Sequence, residues 1–174
     1  CQFGMAWFWS DERVKKWFDV EGFANLNHAL SGGKGVMVVG VHFMSLELGG
    51  RAMGLCRPMM ATYRPHNSPL MEWVQTRGRL RSNKAMIDQD YGPKGSVFAP
   101  FFSVPQAATT NGTYVLSRLS GAKMLSISMV RKLDRRGYSL HISEVMNDYP
   151  GEDKQIAAGY INKVIEREIL RAPE

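Results

Sequence analysis

Gly35-Val-Met-Val-Val-Gly-Val41 carries no polar side chain and stops abruptly at His42. Four of its residues are β-branched valines, and the run predicts a strand buried on both faces. Ser45 and Glu47 open a helical pattern over residues 46–56, which Gly49, Gly50 and Gly54 weaken. Upstream, Ser10 is placed to cap a helix with Asp11 and Glu12 in its first turn; residues 17–22 read as a short strand and 23–30 as a helix. Downstream, the pattern predicts a strand at 58–63, a turn at 64–69, a helix at 70–76, a strand at 96–100 and a helix at 107–121. Alternating residues at 124–131 and 138–145, joined through Asp134-Arg-Arg-Gly137, predict a hairpin. Ile156, Tyr160, Ile161, Val164, Ile165 and Ile169 form the stripe of a closing helix. Helices alternating with strands before a late hairpin predict an α/β fold, an α-β-α sandwich on a mixed sheet, in one domain over residues 1–174.

This layout locates the candidate chemistry. On one continuous helix His42 and Glu47 would stand roughly 140° apart. With His42 on the strand-to-helix turn instead, a carboxylate in the first helical turn reaches back to the imidazole. An acid–base pair then sits at the carboxyl end of a buried strand, where open α/β sheets keep their ligands. Glu47 would fix the tautomer and the other ring nitrogen would take a proton from a hydroxyl. The competing reading is a hydrogen-bonded turn histidine, and a lone His-x4-Glu spacing does not decide between them. Arg77-Gly-Arg-Leu-Arg81 reads either as a solvated basic turn or as a clamp for phosphate or an oxyanion.

Several motifs are set aside. Gly32-Gly-Lys34 precedes its strand and lacks the Ser or Thr of a phosphate loop. Asp88-Gln-Asp-Tyr-Gly92 lacks the ligand spacing of a calcium loop, so no metal site is read there. Asn111-Gly-Thr113 spells a sequon without any sign of secretion.

Composition narrows the partners. The chain has 174 residues, 44% hydrophobic and 22% charged, enough for a real core. Its net charge of +6 favours an acidic partner: nucleic acid, phospholipid headgroups, or an acidic protein or substrate. Two cysteines, Cys1 and Cys56, make no disulfide framework and suit a reducing compartment. No window reads as a membrane span. The aromatic cluster Phe3-Gly-Met-Ala-Trp-Phe-Trp9 suits a core or a membrane interface, with core as the default.

Three blocks, in order, carry a resemblance. They are Val41-His-Phe-Met-Ser-Leu-Glu-Leu-Gly-Gly50; Tyr63-Arg-Pro-His-Asn67 with Trp73-Val-Gln-Thr-Arg-Gly-Arg-Leu-Arg-Ser-Asn-Lys84; and Asp88-Gln-Asp-Tyr-Gly92 with Ala107-Ala-Thr-Thr-Asn-Gly112. Together they resemble the late acyltransferases of lipid A biosynthesis, within the glycerolipid acyltransferase superfamily. The flanking Trp17-Phe-Asp-Val-Glu-Gly22 and Pro58-Met-Met-Ala-Thr-Tyr63 look nearest its palmitoleoyl branch. The resemblance implies transfer of a fatty acyl chain from acyl carrier protein to a hydroxyacyl chain of a Kdo-bearing lipid A precursor. It implies work at the cytoplasmic face of the bacterial inner membrane, in lipopolysaccharide biosynthesis, with no cofactor, no metal and no nucleic-acid partner. Carried onto this chain, His42 is the general base, Glu47 its orienting partner, and Arg79, with Arg81 behind it, an oxyanion or phosphate ligand. Asp88, Asp90 and Arg64 are further candidates for lining the site. Direct attack on the thioester needs no nucleophile from Ser45 or Cys56. Against the family pattern, the chain is expected to lack an N-terminal anchor helix, a helix and strand between residues 87 and 88, and a C-terminal tail. Two rivals stand beside this reading: an acyl-CoA-dependent lysophospholipid or glycerol-phosphate acyltransferase, and a non-catalytic basic module for membranes or nucleic acid.

Overall fold

The computed structural model describes residues 2–40, 45–88, 95–134 and 136–171, with Ile87 and Asp88 described by backbone alone. In chain order the elements are α1 (Gln2–Phe8), α2 (Asp11–Lys15), β1 (Phe18–Glu21), α3 (Phe23–Leu30), β2 (Val36–Gly40), α4 (Leu46–Cys56), β3 (Met59–Tyr63) and α5 (Pro69–Leu80). There follow β4 (Asn83–Asp88), β5 (Ser96–Phe101), β6 (Val104–Thr110), α6 (Gly112–Ser120), β7 (Lys123–Arg131), β8 (Tyr138–Ile142) and α7 (Lys154–Arg171). The fold is α/β with a mixed sheet, as the alternation predicts. Its strands are shared among a four-stranded sheet ordered β1-β8-β7-β2 and two pairs, β3-β4 and β5-β6. β2 runs parallel to β7 and β3 parallel to β4, whereas β5 and β6 are antiparallel.

Two compact units divide the residues. One holds Cys1–Val20, His42–Asp90 and Met129–Leu140; the other holds Glu21–Val41, Tyr91–Ser128 and His141–Glu174. In the first, α4 and α5 pack against each other and against α1. Close approach explains glycines that look like helix breakers in the sequence. A Cβ on Gly54 would meet Ser82, and one on Gly78 would lie 2.5–2.8 Å from Trp7 side-chain atoms. In the second unit, α7 covers a core of Met124, Met146, Tyr149, Ala157, Ile161 and Val164, flanked by Met37, Val39 and Tyr114.

Where the structure departs from the sequence reading, tertiary packing is the cause. Every residue of β2 is only half-buried, not enclosed on both faces. The strand stands at the end of its sheet order, and among the described residues β7 is its one strand neighbour. The α5 helix does not stop at residue 76 but continues through Arg77-Gly-Arg-Leu80, because Gly78 and Arg79 have partners on α1 and α4. Ala107–Thr110 is not the start of a helix. It pairs with β5, Thr110 opposite Ser96 and Thr109 opposite Val97, and α6 begins only at Gly112. The hairpin's second strand stops at Ile142. β4 has no counterpart in the sequence reading and pairs Ile87 with Thr62 and Asp88 with Tyr63. The aromatic cluster at the start of the chain is divided: Trp7 is buried, whereas Phe8 is 70% exposed.

Candidate active site

All described parts of the candidate site belong to the first unit. β2 ends at Gly40, and α4 begins at Leu46 with Glu47 in its first turn. His42 and Asp90 lie outside the described residues, as does the side chain of Asp88. The start of α4 is pinned by Ser45, whose buried hydroxyl donates to the Met129 carbonyl at 2.6 Å.

Glu47 is held from two helices. From α5, Arg79 donates through Nε to Oε2 at 3.1 Å and through Nη2 to Oε1, a fork that matches the planar carboxylate. From α1, Trp7 donates Nε1 to Oε2 at 2.9 Å. The Glu47 side chain is 10% exposed and that of Arg79 21%, so the pair is largely withdrawn from water. A carboxylate offers about four acceptor positions. Among the described residues these donors occupy three, and Oε1 keeps room for one more.

The surrounding side chains fix this geometry. Arg81 donates Nη1 to the Trp7 carbonyl at 2.6 Å, which holds the backbone behind the indole. The Tyr63 ring lies 5.9 Å from the Arg79 guanidinium carbon, and its hydroxyl donates to Glu72 Oε1 at 2.8 Å. Glu72 also accepts from Thr76 Oγ1 and from the His66 amide, tying the turn after β3 to the first turns of α5. The His66 amide, then the Tyr63 hydroxyl, hold the Glu72 carboxyl below its usual range. Arg64 is exposed in that turn. The structure thus brings Glu47, Arg79 and Arg81 together through Trp7, and Arg64 makes no described contact with them.

Sequence reasoning misses two residues here. Trp7 lies in an aromatic cluster that reads as core or membrane interface, and nothing in such a cluster marks which indole N–H will meet a carboxylate. Arg51, one turn beyond Glu47, is 3% exposed and pairs with Asp11. Burial lowers its affinity for a proton, and its Nε and Nη1 find no acceptor among the described residues. A mid-helix arginine gives no sequence sign of such burial.

Neither alternative nucleophile is poised for attack. Ser45 is committed to Met129, and burial raises the Cys56 thiol, which keeps it protonated. Among the described residues no three His, Cys, Asp or Glu side chains converge on a metal position, and no helix is long and apolar enough to cross a membrane.

The second unit holds another buried glutamate. Glu168 accepts from Ser126 Oγ at 3.1 Å and Ser128 Oγ at 2.6 Å, with Arg171 Nε at 3.2 Å and His141 Nδ1 at 3.7 Å. It borders a cleft of about 490 Å³ that Asn25, Glu144 and Arg167 also line.

Comparison with known proteins agrees with the resemblance in the sequence. The family model for bacterial lipid A biosynthesis acyltransferases matches residues 1–88 and 85–174. The chain is 64% identical over 193 residues to the lipid A biosynthesis palmitoleoyltransferase of Escherichia coli K12, covering 98% of this chain and 63% of that protein. To the lauroyltransferase of the same organism it is 41% identical, with the same coverage. A lipid A biosynthesis acyltransferase of Haemophilus influenzae is 40% identical over 191 residues, 97% of this chain and 61% of that protein. The chain therefore spans somewhat under two thirds of the length of these relatives.

Proposed function

Because the chain belongs to the bacterial lipid A biosynthesis acyltransferases, we propose that it moves a fatty acyl chain from acyl carrier protein onto a hydroxyacyl chain of a Kdo-bearing lipid A precursor, at the cytoplasmic face of the inner membrane. The observation that carries the reading is Glu47, a carboxylate fixed in the first turn of α4 from two other helices, with one acceptor position left among the described residues. His42, five residues earlier, donates one ring N–H to that position, which sets the tautomer. Its other nitrogen takes the proton of the acceptor hydroxyl as the oxygen attacks the thioester carbonyl. The tetrahedral intermediate collapses to the ester, and the departing carrier thiolate takes the proton back. Arg79 acts as a positioning residue, since its fork faces Glu47. The buried hydrogen bond of Ser45 and the raised Cys56 thiol support direct transfer without an acyl-enzyme. Greater identity to the palmitoleoyltransferase than to the lauroyltransferase, 64% against 41%, favours palmitoleate as the donor chain.

Mass spectrometry of products from acyl carrier protein and acyl-CoA donors, with lipid A precursor and lysophospholipid acceptors, tests the reaction. The expected product is an acylated lipid A precursor from the carrier-bound donor, lost in His42→Ala. A folded His42→Ala protein that still transfers refutes the assigned base, and turnover only with acyl-CoA favours the lysophospholipid reading.

The internal gap is a proposal of the same standing. The relative aligns over 193 residues, whereas 98% of this chain is about 171, so about 22 aligned positions have no counterpart here. The two parts of the family match meet at residues 85–88, and β2 has an unoccupied long side among the described residues. These observations support a further family strand beside β2, supplied between residues 87 and 88. Inserting the relative's segment there is expected to raise both the thermal midpoint and turnover. No gain in either counts against it.

A further inference from the structure

The α5 helix is amphipathic in the wrong sense for a protein surface. Its inward side carries Glu72, Thr76 and Arg79, bound in the network around Tyr63 and Glu47. Its outward stripe carries Leu70, Trp73, Arg77 and Leu80, which fall within about one third of the helix circumference. Leu70 is 69% exposed, Trp73 57% and Leu80 45%. The guanidinium of Arg77 lies 5.1 Å over the Trp73 ring, so the stripe's one charge is a cation on an aromatic face. The only acid of the helix, Glu72, is held by Tyr63, His66 and Thr76.

Charge sets this stripe apart from the exposed apolar side chains of the second unit. Leu119, Ile156 and Leu170 in the second unit are as exposed. That unit carries 8 Lys and Arg against 8 Asp and Glu, whereas the first carries 14 against 8. The whole +6 of the chain therefore resides in the unit that bears α5. Exposed leucines and a tryptophan interleaved with arginine on a cationic unit complement an anionic lipid surface, where apolar groups sink below the headgroups and guanidinium groups meet phosphate.

We propose that the outward stripe of α5 is a docking surface for anionic phospholipid, seating the first unit on the bilayer. The proposal deepens the acyl-transfer reading and rests on it only in placing the lipid acceptor in that bilayer. Flotation of the protein with phosphatidylglycerol–phosphatidylethanolamine vesicles, set against phosphatidylcholine vesicles, tests it. Leu70→Glu with Trp73→Glu is expected to weaken partitioning to anionic vesicles by about tenfold or more, since two apolar anchors are lost and two negative charges then face the headgroups. Arg77→Gln is expected to weaken it roughly fivefold, on anionic vesicles only. Leu119→Glu, in the neutral unit, is the control that leaves partitioning unchanged. Circular dichroism confirms that each variant folds. Equal partitioning of the double variant and the parent overturns the proposal. So does a parent dimer that the double variant dissolves, because the stripe then binds a second copy. Transfer to a detergent-dispersed acceptor separates the two readings: its retention in the double variant supports docking, whereas its absence in the parent removes the acyl-transfer reading and leaves the vesicle result standing.

Discussion

Each unit of this protein buries a glutamate near a basic partner, and the two carboxylates are built for different ends. Glu168 is deep in its unit: two serine hydroxyls of β7 donate to it, Arg171 and His141 stand at 3.2 and 3.7 Å, and its side chain is 3% exposed. Glu47 is held just as firmly from α1 and α5, but by ring and guanidinium N–H groups and in the first turn of α4. A histidine and a glutamate in proximity therefore do not by themselves make a catalytic pair. What separates the cases is the company each carboxylate keeps. Glu168 accepts from two serine hydroxyls inside a core with its imidazole 3.7 Å away, whereas Glu47 accepts from an indole and a guanidinium, five residues after His42 in the chain.

The sharpest way to break the comparison is to neutralise one member of each pair. Glu47→Gln is expected to lower transfer by about 10²- to 10⁴-fold, the usual worth of a positioned acid–base pair, with the fold retained. His141→Gln is expected to leave turnover within a few fold of the parent. Equal losses in a product assay would erase the distinction. Glu168→Ala should act on stability instead, by about 3 kcal/mol, because Ser126 and Ser128 lose a charged acceptor inside the core. Its urea midpoint measures this, and a midpoint equal to the parent's would show the cluster to be neutral.

Smaller effects sharpen the first unit further. Gly78→Ala places a methyl against Trp7 and is expected to cost about 1–3 kcal/mol, against the gain in helix propensity. Turnover should fall with it as the indole leaves Glu47, whereas Gly159→Ala, with open space at its Cβ, should do neither. The smallest effect is acidic. The Glu72 carboxyl is held below its ordinary value of 4.5 in the fold, so the stability it contributes is present above that value and lost as pH falls through the lowered one. The parent's urea midpoint should therefore drop more steeply below pH 4.5 than that of Glu72→Gln, and parallel curves would deny Glu72 this role.

Much of this arrangement is legible in the chain, for identifiable reasons. Phe23–Leu30 and Leu46–Cys56 announce themselves through apolar residues at helical spacing that packing then uses, although neither Gly22 nor Ser45 makes a side-chain cap bond. The placement of Glu47 in the first helical turn follows from the same signals. The end of α5 does not, because Arg77-Gly-Arg-Leu-Arg81 reads as a basic turn until Trp7 is seen to fill the space that Gly78 leaves. Ala107–Thr110 belongs to β6 because β5 lies beside it, a partner no local window contains. Trp7 and Arg79 converge on Glu47 from positions 40 and 32 residues away along the chain. Such long-range satisfaction of one carboxylate has no periodicity to betray it.

Arg77 and Arg79 sit two residues apart and thus about 200° around the α5 axis. One rigid rod therefore sets both the outward cation and the inward fork, and their relative bearing cannot be adjusted. Any rotation that sank the outer leucines deeper would swing the Arg79 fork off its carboxylate. Selection or engineering for a different lipid environment is confined to swapping outer side chains with the helical phase left untouched.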